Sequence, residues 1–366
     1  MIFRIYGQKD STIYEQTTRR AQNTGVDEIL EVTKFYDEET EETFIGNSRI
    51  LVQFDISTIS QSIVDGDISS NAKFYLNLTS TEENEVQAEY QLDIHQVSQS
   101  WTEGIGQFHY NPMVTNGCSW QFRNDSFKWS TGSFTTGTTG SSIINDGGGT
   151  WYTASVNNTQ YSQTFNKSTS DLKVEVSEYI KDWLSGSRVN NGFIIKRPDT
   201  QESGSIRYGS SKFFSNETHT IYVPTLEARW DDSSFVTASL QELTNENILI
   251  YPKNLLAEYK EESISKIRIV GRDRYPVRTF STSSAYSTIK YLPQTTYYQV
   301  RDAETNLVLI PFDTTYTKVS CDSTGNYFDF RFNTLQAERF YKFEFRVDRS
   351  GRKEYFDNGY IFKVVR

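Results

Sequence analysis

The chain has 366 residues, 36% of them hydrophobic and 14% aromatic, and that length predicts two domains, each able to bury a core without staples. Its 23 Tyr and 24 Phe stand against 2 Met, with heavy use of Ser, Thr and Asn, a balance that suits pleated, half-buried surfaces and predicts an all-β protein. A net charge of -10 with no long basic block argues against a nucleic-acid binder, and no apolar run approaches the length of a membrane span.

From the N-terminus, Ile2–Tyr6, Ser11–Ile13 and Glu28–Val32 read as short strands separated by polar turns carrying Asn23 and Gly25. The acidic run Asp37–Glu42 reads as a solvated loop tip. Arg49–Ile56 (R-I-L-V-Q-F-D-I) is a near-continuous apolar strand, whereas Ala72–Leu78 and Tyr90–Val97 alternate strictly, as strands with one buried face do. Gly104–Lys167 is a long Gly, Ser, Thr and Asn segment punctuated by Trp120, Trp129 and Trp151, either a functional loop or a cover for the sandwich. Asp171–Leu184 starts as a strand and becomes a helix, with Val176, Tyr179, Ile180, Trp183 and Leu184 at helical spacing and Gly186 as its stop. It is the one helix that the pattern supports.

The last Trp is Trp230, and D-D-S-S follows as a linker, so the expected domains are 1–232 and 233–366. Beyond it Ser263–Val270, Thr296–Val300, Val308–Phe312, Tyr327–Phe332 and Arg339–Val347 read as strands, with Pro276, Pro293 and Pro311 at strand edges. The expected architecture is a jelly-roll β-sandwich followed by a smaller immunoglobulin-like β-sandwich. Cys118 and Cys321 fall in different expected domains, and the opening M-I-F-R-I-Y-G-Q-K-D lacks an apolar signal core. We therefore expect no disulfide and a cytoplasmically made product, which makes the acceptor triplets at Asn77, Asn157 and Asn216 chance matches.

The search for chemistry returns little. His95, His109 and His219 show no metal-ligand spacing, and there is no nucleophile elbow, phosphate loop or dinucleotide fingerprint. Gly147–Gly149 reads as a flexible turn, and Glu103, beside Trp101, is the carboxylate most suggestive of glycosidase work, but without a partner acid. Carboxylates and loop carbonyls are abundant enough for a structural Ca²⁺, yet no spacing selects ligands, and no cofactor is expected. Trp101, Trp183 and Trp230 lie beside regular elements and read as core. Trp120, Trp129 and Trp151 read as either core or ligand contacts, and the turn Arg272, Arg274 and Tyr275 as either an ordinary charged turn or an assembly contact.

Three blocks share one order: D-S-T-I-Y with N-T-G-V-D-E-I-L-E-V and S-R-I-L-V-Q-F-D-I-S, then W-T-E-G, then V-S-E-Y-I-K-D-W-L-S-G with N-N-G-F-I-I-K. Together they resemble the DNRLRE-type module, a jelly-roll akin to carbohydrate-binding domains, over about Met1–Asp232. The resemblance implies that the strand with Arg49, Phe54 and Asp55 lies in the sandwich and that the corner Trp101, Glu103 and Gly104 precedes a variable loop. A module without a signal peptide, joined to a second β domain, looks like a tailed-phage virion protein of the tail, baseplate or neck, and the C-terminal stretch Y-P-V-R-T-F to G-N-Y-F is similar to phage structural domains. The expectation is a non-enzymatic virion component whose partners are other virion proteins and copies of itself, with no nucleic acid and no membrane insertion. The alternatives are a glycan-binding module for host-surface attachment, resting on Trp120, Trp129 and Trp151, and a polysaccharide-degrading enzyme, resting on Glu103.

Overall fold

The computed structural model describes residues 1–36, 44–84, 87–129, 147–166, 170–245, 247–277, 289–349 and 351–366. The run Asp37–Glu42 and the middle of the long loop lie outside the described residues. The fold is all-β, and the chain divides into two compact units, Ile5–Glu227 and Ala228–Arg366 with Met1–Arg4.

The first unit is built from β1 (Ile2–Tyr14), β2 (Ile29–Tyr36), β3 (Phe44–Phe54), β4 (Lys73–Leu78), β5 (Ser80–Asn84), β6 (Glu89–Val97), β7 (Trp151–Tyr152), β8 (Tyr161–Asn166), β9 (Leu172–Glu175), β10 (Phe193–Lys196), β11 (Ser210–Phe214) and β12 (Thr225–Arg229). The hydrogen-bonded path runs β5-β11-β2-β3-β1-β12-β4-β9, and β10 joins β3 to β6, which carries β7 and β8. Gln163 on β8 bonds Asp171 O at 2.8 Å and Lys173 N at 2.7 Å, so the sheet curls back toward β9. This is a jelly-roll-like sandwich in which β3 is the corner strand.

The polar centre of β1, where the alternation breaks, forms one continuous strand rather than the two the pattern predicts. Asp10, Ser11 and Thr12 are buried there, and Thr24 Oγ1 lies 3.2 Å from Ser11 Oγ. Hydrogen bonding substitutes for apolar burial at that point.

The continuous apolar reading of β3 has a physical cause: both of its faces are covered. On one face Phe54 and β10's Phe193 lie 6.3 Å apart, and Trp183 of the helix Ser177–Leu184 lies 4.8 Å from Phe193. Tyr179 of the same helix donates to Ile94 O at 3.2 Å, and Gly186 follows the helix with φ +73°, the left-handed stop its position predicts. Two further helices, Ser57–Val64 and Asp199–Ser203, are present that the periodicity did not predict. The first buries only Ile59, and the second is one turn long, so neither carries an apolar stripe.

Among the described residues the second unit is a sandwich of two six-stranded sheets. One holds β13 (Gln241–Glu242), β14 (Ile248–Pro252), β16 (Ile264–Asp273), β17 (Lys290–Tyr291), β20 (Ser320–Asp322) and β21 (Gly325–Arg331). The other holds β15 (Glu258–Lys260), β18 (Thr296–Asp302), β19 (Val308–Ile310), β22 (Arg339–Arg349), β23 (Arg352–Phe356) and β24 (Ile361–Val365). Rings from the two sheets meet in the core, with Tyr298 and Phe328 at 4.1 Å and Phe330 and Phe343 at 5.3 Å. Ten of the chain's described Phe and Tyr residues are buried in this aromatic core. Ile2 packs in the same cluster, so the first residues of the chain belong to this unit.

Candidate functional site

The second face of β3 is where the sequence-predicted residues converge. Strand alternation places Ile13, Arg49 and Leu51 on this face, with Ile13 opposite Arg49 and Leu51 opposite Ile194. The row continues onto β6, where His95 stands opposite Ile194 and Asp93 opposite Lys196. An uncovered face of this kind would be a concave sheet surface open to a ligand. Instead the long loop folds over it: Trp101, Cys118, Trp120, Trp129 and Trp151 form one cluster with Ile13, Leu51, Val97 and Ile194.

Trp120, Trp129 and Trp151 are 1%, 5% and 2% exposed, so the ligand-contact reading of these three is corrected to core. A ring without a free face stacks on nothing further. Trp129 Nε1 donates to Ser119 O at 2.9 Å, Trp101 Nε1 donates to Asn191 O at 2.8 Å, and Trp151 pairs with Val97 in the two-residue strand β7. The segment read as one long loop is thus in part a cover, and in part sheet: Trp151–Tyr152 and Tyr161–Asn166 are strands paired with β6, which the loop reading missed because Ser, Thr, Asn and Gln surround their few apolar residues.

Gly147–Gly149 departs from the flexible-turn expectation. All three have positive φ, at +98°, +93° and +85°, and a Cβ on Gly148 would come within 2.6 Å of Arg49 Nη1. Gly148 N donates to Trp120 O at 2.6 Å while its carbonyl accepts from Arg49 Nη1 at 2.7 Å. The run is therefore a closely fitted seat that only glycine fills without strain.

Beneath that seat lies a buried clamp of charges. Arg49 Nε and Nη2 donate to Glu202 Oε1 and Oε2 at 3.0 and 2.7 Å, a bidentate fork, and the guanidinium lies 4.7 Å from the Trp120 ring and 5.1 Å from that of Trp151. Lys196 Nζ donates to Arg197 O at 2.6 Å and Asp199 Oδ1 at 2.7 Å, and stands 3.3 Å from Glu202 Oε2. Both cations are buried. The clamp pins the short helix Asp199–Ser203 and the glycine seat to the sheet. Nothing in the periodicity marks it, although K-R-P-D-T-Q-E after an apolar strand is the signal that could have: a cation ending a buried strand needs an acid nearby.

Glu103 sits at the corner that begins the cover. Its Oε1 accepts the Asp10 main-chain N–H at 2.8 Å, and burial pushes its pKa up to about 7. Asp10 is held well above the ordinary carboxylate range by burial, and its Oδ2 accepts the Asn216 N–H at 2.6 Å. Asp27, pushed by burial to about 6, accepts the Phe108 N–H. Asn23 joins the same corner, donating to Cys118 O and accepting from Gly106 N, both at 2.8 Å. These groups bond to backbone, and Asp10 is 1% exposed, out of reach of a substrate.

His95 faces Trp151 at 6.0 Å, and burial holds its pKa down to about 4, so it is neutral at pH 7. His109 packs edge-on to Tyr110, and His219 is an exposed residue 3.7 Å from Glu28. Among the described residues no group of three or more His, Cys, Asp or Glu is placed to hold a metal ion. Both cysteines are buried free thiols.

The turn after β16 is the other predicted site. Arg272 Nη1 donates to Asp273 O at 3.1 Å, while Asp273 is tied to Lys290 at 2.7 Å and Asn245 at 2.9 Å. Arg274 is exposed, Tyr275 is 77% exposed and Val277 85% exposed, so this turn presents an aromatic, an aliphatic and a cationic group outward from a rigid strand end. The structure brings Trp120, Trp129 and Trp151 together, and Arg272, Arg274 and Tyr275 together, in different units. No family model matches the chain, and no curated protein matches it.

Proposed function

We propose that the chain is a non-enzymatic structural protein of a tailed-phage virion, of the tail, baseplate or neck, that works by docking to neighbouring proteins in a multi-copy assembly. The observation that supports this reading most is the self-filled sheet face: the surface a jelly-roll would offer to a ligand is occupied by the chain's own tryptophans. Its charges are fixed in static pairs, as in the clamp of Arg49, Lys196 and Glu202. What remains turned outward includes Tyr275 and Val277 beside Arg274, the mixture of aromatic and Arg side chains that docking surfaces favour. Symmetric assemblies reuse one such patch on many copies.

The test is incorporation. Particles assembled with Tyr275→Asp and Arg274→Glu are expected to lose the protein while the isolated variant keeps the wild-type melting temperature. Normal incorporation of that folded variant removes the turn as the docking patch. Glycan attachment, the second sequence expectation, can no longer rest on Trp120, Trp129 or Trp151.

A further inference from the structure

A pocket of about 270 Å³ opens beside the charge clamp. Its lining sets three acids, Glu15, Asp199 and Glu202, against one cation, Arg49, and is completed by Phe44, Asn47 and Ser203. We propose that this pocket binds the ammonium head of an aliphatic primary amine.

The donors and acceptors of the lining are unequal, and the inequality selects the ligand. Each side-chain donor already has an acceptor. Arg49 commits Nε and Nη2 to Glu202 and Nη1 to Gly148 O, Asn47 Nδ2 donates to Glu15 Oε2 at 2.8 Å, and Ser203 Oγ donates to Asp199 O at 2.7 Å. Acceptors are left over. Asn47 is 7% exposed, and its Oδ1 is buried with no partner among the described residues. A buried amide oxygen left unpaired destabilises the fold until a donor reaches it, and on a side chain that lines the pocket that donor would stand in the cavity.

The charge points the same way. The clamp sets two cations, Arg49 and Lys196, against two acids, Asp199 and Glu202. Glu15 stands outside it: its Oε2 also accepts the Asn47 main-chain N–H at 2.9 Å, and no cation pairs with this carboxylate among the described residues. Lys34, 5.4 Å from the Phe44 ring, has its Nζ held by the carbonyls of Gln201 and Gly204. A ligand that fits this lining brings positive charge and donors but no acceptor, and a primary ammonium, with three N–H groups, is such a group. A metal ion would need converging ligands, and among the described residues no three His, Cys, Asp or Glu converge. Phe44, 43% exposed, gives the methylene chain behind the ammonium an apolar wall.

The inference goes beyond the docking reading and does not rest on it: a chain that binds no amine could still copurify with particles, and an amine-binding chain could be absent from them.

The experiment is saturation-transfer NMR and calorimetry of the full chain with n-butylammonium, 1,4-diaminobutane and Nα-acetyl-lysine methylamide as probes, and n-butanol as the uncharged counterpart. n-Butylammonium is expected to bind in the millimolar range, more weakly at about 0.5 M salt, and more tightly than n-butanol. Glu15→Gln, which removes the charge and keeps the shape, should weaken it about tenfold, and Phe44→Ala about fourfold, the contact of one methylene. Phe44 is at the surface, so its variant is expected to fold and keeps the test decisive if Glu15→Gln does not. Capped lysine binding as tightly as n-butylammonium would identify the occupant as a side chain of a neighbouring protein, and binding of the free amines alone would identify a small molecule; either supports the pocket. Binding of none of the amines, n-butanol binding as tightly as n-butylammonium, or an affinity that the folded variants leave unchanged overturns the proposal.

Discussion

Replacing Arg49 with Ala is the perturbation from which the clamp can be read most directly. The change deletes a bidentate pair with Glu202 at 2.7 and 3.0 Å, the bond to Gly148 O at 2.7 Å, and a guanidinium seated against the rings of Trp120 and Trp151. Removing one member of a buried ion pair costs about 3–5 kcal/mol, chiefly because its partner is left unpaired. Lys196 remains 3.3 Å from Glu202 Oε2, which moves the expected value toward the lower end, while the lost cation–ring contacts return about 1 kcal/mol. The net expectation is a loss of about 4 kcal/mol. With a urea m-value near 2 kcal/mol per M, the midpoint of unfolding falls by about 2 M. Tryptophan emission reports the correct unit, since Trp101, Trp120, Trp129, Trp151 and Trp183 all lie within Ile5–Glu227. The double variant Arg49→Met with Glu202→Met leaves no unpaired charge and should recover about half of the loss. A single variant that costs under about 1 kcal/mol, or a double variant as unstable as the sum of its parts, refutes the clamp.

Other consequences follow from the same packing. Gly148→Ala, at φ +93° and facing Arg49 Nη1, is expected to cost about 2–3 kcal/mol, measured by the same urea titration. Trp120→Ala should cost about 3–5 kcal/mol, whereas a solvent-facing ligand platform would lose almost none. Glu103 has a folded pKa of about 7 against an ordinary 4.5, so the unfolded chain holds fewer protons between those values and stability falls as pH rises through that window. Glu103 contributes about 1–2 kcal/mol to the decline between pH 4.5 and 8, smaller than the full shift because the carboxyl is partly solvated, and Glu103→Gln melted across pH beside the wild type should show a decline shallower by that amount, with the share of Asp10 and Asp27 remaining in both. Burial pushes the thiols of Cys118 and Cys321 up to about 12 and about 11, so neither should react with a disulfide reagent at pH 8 until denaturant is added.

Strand periodicity made the regular elements legible where one face is wet. Tyr90–Val97 and Ala72–Leu78 alternate because every second side chain is polar and at most half-buried while the others are fully buried, and the structure places β6 and β4 there. The helix Ser177–Leu184 was legible because its apolar residues repeat at helical spacing and Gly186 ends it. The continuous run of β3 was legible as a strand, but not the reason for it, since a run buried on both faces does not say what covers the second face. Its cover comes from residues distant in sequence, such as Trp120 and Trp151, whose polar surroundings in the chain resemble an exposed loop. Glu202 and Arg49 are likewise separated by 153 positions, and no local pattern pairs them. The glycine run misled for a related reason: Gly-rich sequence marks both mobile turns and close backbone approach, and only the neighbour, here Arg49 and Trp120, distinguishes them.

Quantitative mass spectrometry of gradient-purified particles from the source tests the proposed role most directly. The account predicts the intact chain at a fixed, multi-copy ratio to the other particle proteins, a ratio that survives high-salt washing. Its absence from particles, together with a monomeric chain in light scattering, would contradict a structural role in the virion.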